Sequence, residues 1–191
     1  MRASGRKVFQ IKVSLKGSRP PIWRRLLVRD TVSLKELHPL LQFAMGWADS
    51  HLHQFVKGKT YYGVPHPEMP EIRDERTAKL NGILRKPKDR ILYEYDFGDG
   101  WLHVIVLEQV SDADPAGIYP WILAGKRACP PEDCGGLYGY YRLLHALSDP
   151  SHPEYDEMND WLGENFDPNA FDVQETNRML HGGWYPSQPH R

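Results

Sequence analysis

Residues 93–106 decide the fold: Tyr93-Glu94-Tyr95-Asp96-Phe97-Gly98-Asp99-Gly100-Trp101-Leu102-His103-Val104-Ile105-Val106. Two strand-like runs rich in aromatic and β-branched residues flank the Asp99-Gly100 dipeptide. Asp-Gly suits a two-residue type I′ turn, because both central residues need φ > 0. That turn sets Phe97 opposite Leu102, Tyr95 opposite Val104 and Tyr93 opposite Val106. One face of the hairpin becomes wholly apolar or aromatic, and Asp96 faces His103 on the other. A three-residue loop would set Asp96 against Leu102 and spoil the pattern, so matching of the two strands favours the shorter turn.

Outward from the hairpin, the chain reads as more strands followed by helices. Ile11, Val13 and Leu15 alternate within Val8–Leu15 and predict a half-buried strand. The turn Lys16–Pro21 leads to a second, antiparallel strand over Ile22–Val28. Ser33 with Glu36 forms a capping box, and Leu34, Leu37, Leu40, Leu41 and Ala44 recur at helical spacing up to Gly46. Pro39 inside that pattern predicts a kink or a restart. His51–Val56 reads as a short strand, with Lys57-Gly58-Lys59 as a hairpin tip before Thr60–Tyr62. Residues 63–75 and 112–135, both proline-rich, read as loops. Helices are expected over Leu137–Leu147, Glu154–Leu162 and Asp172–Leu180, the last opened by a second capping pattern, Asp172 with Glu175. The expectation is one α+β domain over residues 1–191, with its core at about 6–180. Helices pack on a mainly antiparallel sheet, and the C-terminal third is helical.

Composition narrows the class. The chain has 191 residues, 40% hydrophobic and 26% charged, which excludes collagen-like and fully disordered readings. The longest apolar patches, Leu40–Trp47 and Ile118–Ala124, fall far short of the roughly 20 residues of a membrane helix. The N-terminal run MRASGRKVFQ has no apolar segment after its charges, so no secretory signal is read there. Two cysteines point to a reduced, cytoplasmic protein. The net charge of −1 conceals an asymmetry: residues 1–90 carry a net +11 and residues 91–191 a net −12. Such polarity suits either a nucleic-acid face on the basic half or mutual packing of the two halves.

Three groups of residues carry chemistry. His51 and His53, two apart on a strand, would share a face; with Asp96 and His103 they could supply three or four ligands to zinc or another divalent ion. The Asp96–His103 pair also reads as an ordinary cross-strand polar pair, or as a carboxylate orienting a histidine. Trp23, Arg24 and Arg25, and Lys57 and Lys59 beside Tyr61, mix cations with rings as single-stranded nucleic acid requires, and as ordinary strands with one solvated face also do. Cys134, in the run Cys129-Pro130-Pro131-Glu132-Asp133-Cys134-Gly135-Gly136, lies near a helix start whose dipole lowers a thiol pKa, whereas Glu132 and Asp133 oppose the thiolate. No G-x-G-x-x-G, G-K-[ST], G-x-S-x-G, H-E-x-x-H or paired-carboxylate signature is present. That leans the reading away from catalysis.

Several stretches, taken in order, resemble the plasmid pRiA4b ORF-3-like family. They are Pro21–Arg25, Gly46-Trp47 with His51–Phe55, Tyr95–His103, Ala128–Gly136 with Gly139-Tyr140, and Phe166–Pro168 with Phe171-Asp172. The resemblance spans roughly residues 6–180. It implies an α+β fold with helices against a mainly antiparallel sheet, in a family carried by plasmids, chromosomes and insertion elements and without an established activity. It supplies no catalytic residues. The serine and arginine cluster of a serine recombinase is not found. The expectation is a cytoplasmic accessory or binding protein whose partner is nucleic acid or protein. The alternative is a metal-dependent hydrolase, with bound water as nucleophile at the His/Asp site.

Overall fold

The computed structural model describes residues 6–163 and 166–184, so the N-terminal run read above lies outside it as far as Gly5. An eight-stranded sheet carries the fold, in the order β5-β4-β3-β6-β7-β1-β2-β8. The strands are β1 (Lys7–Leu15), β2 (Trp23–Arg29), β3 (His53–Lys57), β4 (Thr60–Gly63), β5 (Arg73–Asp74), β6 (Arg90–Tyr95), β7 (Trp101–Asp112) and β8 (Trp121–Lys126). All neighbours pair antiparallel except β4 and β5, which are parallel. Among the described residues five α-helices accompany the sheet, α1 (Leu34–Met45), α2 (Leu80–Ile83), α3 (Gly136–Leu147), α4 (Tyr155–Leu162) and α5 (Val173–Met179), the last running on into a π-helical turn over Leu180–Trp184. The architecture is therefore α+β with a mostly antiparallel sheet. No helix of the described residues is long and apolar enough to cross a membrane.

One face of the sheet is the core face. Ile11, Val13, Leu26, Ile91, Tyr93, Tyr95, Trp101, Ile105 and Leu107 alternate along their strands onto it, all essentially without solvent exposure. Helix α1 covers this face with Leu34, Leu37, Leu40, Leu41 and Ala44. Its start is fixed twice over: Ser33 Oγ accepts from Glu36 N–H at 3.2 Å, and Glu36 Oε2 accepts from Ser33 N–H at 2.7 Å. Gly46 ends it in the left-handed region, φ 87°, where glycine carries no Cβ penalty. The helix runs through Pro39 without a restart. The opposite sheet face, with Lys12, Trp23, Arg25, Leu92, Leu102, Val104 and Val106, is only half covered.

The decisive hairpin forms in a different register. Tyr95 pairs with Trp101, Tyr93 with His103 and Ile91 with Ile105. The loop is therefore Asp96–Gly100, five residues rather than two. Asp96 winds it: with φ 56°, its Oδ1 accepts from Gly98 N–H at 2.9 Å and Asp99 N–H at 3.3 Å. Its carbonyl also accepts from Gly100 N–H at 2.7 Å. The register moves by three positions, an odd number, so β7 turns its other face to the core while Tyr93 and Tyr95 of β6 keep theirs. Trp101, His103, Ile105 and Leu107 point inward instead of Leu102, Val104 and Val106. Phe97, expected on the apolar face, is 52% exposed, and Asp96 does not face His103.

Two stretches read as loops contain strands. Within 63–75 lies the two-residue β5, and within 112–135 lies β8, an edge strand. The amide of Asn177 on α5 caps the outer edge of β8. Its Oδ1 accepts from Ile122 N–H at 2.9 Å and its Nδ2 donates to Ile122 C=O at 2.8 Å. Helices α3, α4 and α5 stand within about a residue of their expected bounds, with irregular chain between them. Asp172 caps α5, accepting from Gln174 and Glu175 N–H.

Arg24 joins these parts. It faces the core at 2% exposure and has no carboxylate partner among the described residues. Its Nε donates to Ala44 C=O at 2.7 Å in the last turn of α1, where the helix dipole presents negative charge. Nη1 donates to the Trp23 and Lys126 carbonyls at 2.9 and 3.2 Å, and Nη2 to Cys129 Sγ at 3.3 Å. The guanidinium lies 3.7 Å from the centroid of the Phe171 ring. Burial lowers its pKa. Replacing Arg24 by Ala removes the buried donor to Ala44 C=O and leaves space at a core position. Arg24→Ala should therefore lose about 3 kcal/mol or more in urea unfolding. A loss under about 1 kcal/mol would show that the junction does not depend on it.

Candidate metal centre

Three loops meet at one end of β3 and β6. The first precedes β3: Asp49 takes φ 59°, and His51 lies in a bend rather than in the strand. The second is the Asp96–Gly100 loop, tied to the first by Asp96 N–H donating to Leu52 C=O at 2.9 Å. The third is Cys129–Gly136, in which Asp133 takes φ 59°. Their side chains converge. His51 Nε2 lies 3.1 Å from Asp133 Oδ1 and 3.7 Å from Asp96 Oδ2. One ligand atom from each of the three residues falls within 4.8 Å of the other two.

His51 Nε2 is itself buried from solvent and has no hydrogen-bond partner among the described residues, because neither carboxylate contact has hydrogen-bond geometry. Two ligands at 2.0–2.2 Å from a tetrahedral zinc stand roughly 3.3 Å apart, which these separations straddle. Asp96 is buried and Asp133 exposed, so the cluster is open on one side. A nitrogen with two carboxylate oxygens suits a borderline divalent ion such as zinc or manganese.

The other expected ligands are elsewhere. His53 begins β3 and does not share a face with His51; its Nε2 lies 2.8 Å from Glu75 Oε2. Its ring stacks on that of His38, with centroids 3.4 Å apart. His38 Nε2 lies 2.7 Å from Asp49 Oδ1, and its Nδ1 2.8 Å from the Tyr93 hydroxyl, which also accepts from Gln42 Nε2 at 2.7 Å. Burial, and then His53, lowers the His38 pKa. His103 is fully buried opposite Tyr93, with the Trp47 ring edge-on to it at 5.3 Å. Neither of its ring nitrogens has a hydrogen-bond partner among the described residues. Of the four expected ligands the structure brings together only His51 and Asp96. The third member, Asp133, comes from the Cys129–Gly136 run, whose acidic residues the sequence reading weighed only for their effect on a thiol.

The similarity to known proteins runs through most of the chain. The profile of the plasmid pRiA4b ORF-3-like proteins matches residues 7–175. The chain belongs to that family. It is 36% identical over 177 residues to the uncharacterized protein y4hQ of Sinorhizobium fredii, covering 91% of this chain and 90% of the relative. The crystal structure of the protein of unknown function MM3350 from Methanosarcina mazei Go1 superposes with a TM-score of 0.83 at 37% identity. That likeness covers 90% of this chain and 98% of the other.

In this family member the remaining candidates do not gather into one site. Burial, then Asp99, pushes the Cys134 thiol up to about 12, so it is protonated at neutral pH and is not a ready nucleophile. Arg24 is in the core, as described, and cannot meet a ligand at the surface. Trp23 lies on the half-covered sheet face, with Lys12 Nζ 4.8 Å and the Arg25 guanidinium 5.1 Å from its ring centroid. Arg25 is also engaged bidentately by Glu108. Lys57 Nζ donates to Arg90 C=O at 2.9 Å, Lys59 sits exposed in the β3–β4 turn, and Tyr61 on β4 is 41% exposed. Trp23 and Tyr61 are separated by β3, β6, β7 and β1, roughly 24 Å across the sheet. They form two sites rather than one continuous basic and aromatic track.

Burial lowers the His103 pKa to about 4. In the unfolded chain this histidine takes a proton as pH falls through about 6.5, whereas the folded protein keeps it neutral. Stability is therefore lost on acidification below about 6.5, at a slope approaching 1.4 kcal/mol per pH unit from this group. Urea unfolding at pH 7 and pH 5 should show a smaller acid loss in His103→Phe than in the wild type. Equal losses would mean that His103 titrates normally in the fold.

Proposed function

We propose that the protein binds one divalent metal ion at His51, Asp96 and Asp133, and that this ion activates water for hydrolysis. The observation that carries the reading is the buried, unpartnered His51 Nε2 poised between two carboxylates at ligand spacing. His38 and His53 supply the contrast: each of those rings makes a hydrogen bond of good geometry to its carboxylate, whereas His51 Nε2, 3.1 Å from Asp133, makes none. Three protein ligands on a face open to solvent leave a coordination position for water, the arrangement of catalytic rather than closed structural zinc sites. A bound ion at such a site lowers the pKa of its water toward neutrality. The site replaces the expected set of His51, His53, Asp96 and His103 while keeping the same chemistry.

Titrating metal-free protein with Zn²⁺ or Mn²⁺ by calorimetry, with elemental analysis after dialysis, tests the reading. One ion per chain is expected in the wild type and in His103→Phe. His51→Ala and Asp96→Asn should each lose it, and the latter keeps an oxygen to cap the Gly98 and Asp99 amides. Absence of binding in the wild type, or retention of metal by His51→Ala, would overturn it.

A further inference from the structure

Each of the three ligands is the immediate chain neighbour of a residue in one hydrogen-bonded knot. Tyr95, fully buried at the end of β6, precedes Asp96. Its hydroxyl donates to Glu132, the neighbour of Asp133. The same hydroxyl accepts from Ser50 N–H at 2.9 Å, next to His51. The second oxygen of the Glu132 carboxylate accepts from Ala48 N–H at 2.9 Å, so the His51 loop is gripped at two points. Two further contacts hold the same loops together. Trp47 Nε1 donates to Pro130 C=O at 2.9 Å, and the Trp47 ring stacks on the Tyr95 ring with centroids 5.2 Å apart. The His51 ring stands edge-on to Tyr95 at 5.8 Å.

The Tyr95 ring belongs to the buried core, while its hydroxyl reaches out of it to the loops. Other hydrogen bonds join the loops in pairs, Asp96 N–H to Leu52 C=O and Gly135 N–H to Asp99 Oδ2 among them; the Tyr95 hydroxyl is where all three meet, beside the ligand atoms. We infer that the Tyr95 hydroxyl and the Glu132 carboxylate are positioning residues of the metal centre, setting the separation of His51, Asp96 and Asp133 without touching the ion. This inference rests on the metal reading and deepens it. Outer groups that orient metal ligands typically change affinity by about 10–100-fold when removed.

The test compares Co²⁺ and Zn²⁺ binding in the wild type, Tyr95→Phe, Glu132→Gln and, as control, Tyr140→Phe, which removes a buried phenol outside the three loops. Tyr95→Phe should bind about tenfold or more weakly and change the visible absorption of bound Co²⁺. The melting temperature of its metal-free form should stay close to that of the control. Glu132→Gln, which keeps one acceptor and gains a donor, should show a smaller loss. If the wild type binds metal and Tyr95→Phe binds it equally tightly with the same Co²⁺ spectrum, the positioning role is overturned and the metal centre stands. If the wild type binds neither ion, the metal reading itself falls and the inference with it. Should Tyr95→Phe fail to fold, Glu132→Gln decides: unchanged affinity and spectrum overturn the inference.

Discussion

The carboxylate of Asp96 holds the Gly98 and Asp99 amides and so winds five residues into the turn between β6 and β7. That capture decides the hairpin register, and the register decides what faces inward. With it, Tyr93, Tyr95, Trp101 and Ile105 form the floor on which α1 packs, and His103 is carried into the same layer. The same residue turns its other oxygen toward His51. One side chain thus has a structural half and a chemical half, and the two cannot be chosen separately. Closing the hairpin on the two-residue turn would put the other face of β7 toward the core and carry Asp96 into the strand.

Much of this architecture could be read from the chain. Helix α1 is announced by Ser33, Glu36 and Gly46, each acting through local hydrogen bonds or backbone conformation that do not depend on the rest of the fold. The strands β1 and β2, with polar residues between buried ones, are equally local. The register of β6 and β7 is not. Both alternating sets in β7 are largely apolar, so burial alone does not choose between Leu102, Val104, Val106 and Trp101, Ile105, Leu107. Asp99-Gly100 suggested the tight turn, and Asp96 defeated it. Part of the proposed metal centre is legible for a related reason. His51 and Asp96 stand out by residue type, but Asp133 joins them only because the Cys129–Gly136 loop folds back through Trp47 and Glu132. That is long-range information with no local trace.

The core carries an unusual quantity of polar chemistry beneath α1. Arg24 is neutralised by carbonyls, a thiol and an aromatic face rather than by an acid. The His38–His53 stack is tethered at both ends by Asp49 and Glu75. Buried groups of this kind gain little net stability over apolar packing, yet they are costly to misplace. Their effect is to make the relative positions of α1, β3 and the loops before β3 and after β8 discrete rather than sliding. The three loops that bring His51, Asp96 and Asp133 together rest on that frame.

The Asn177 amide stands against Ile122 where another strand's peptide group would otherwise pair. An open sheet of eight strands has two free margins, and a margin of unpaired amides recruits whatever extended chain it meets. Here one margin is β5, only two residues long, and the other already has part of its ladder occupied by a side chain. The sheet is thereby finished at eight, and the molecule is guarded against growing by self-templated accretion along its rim.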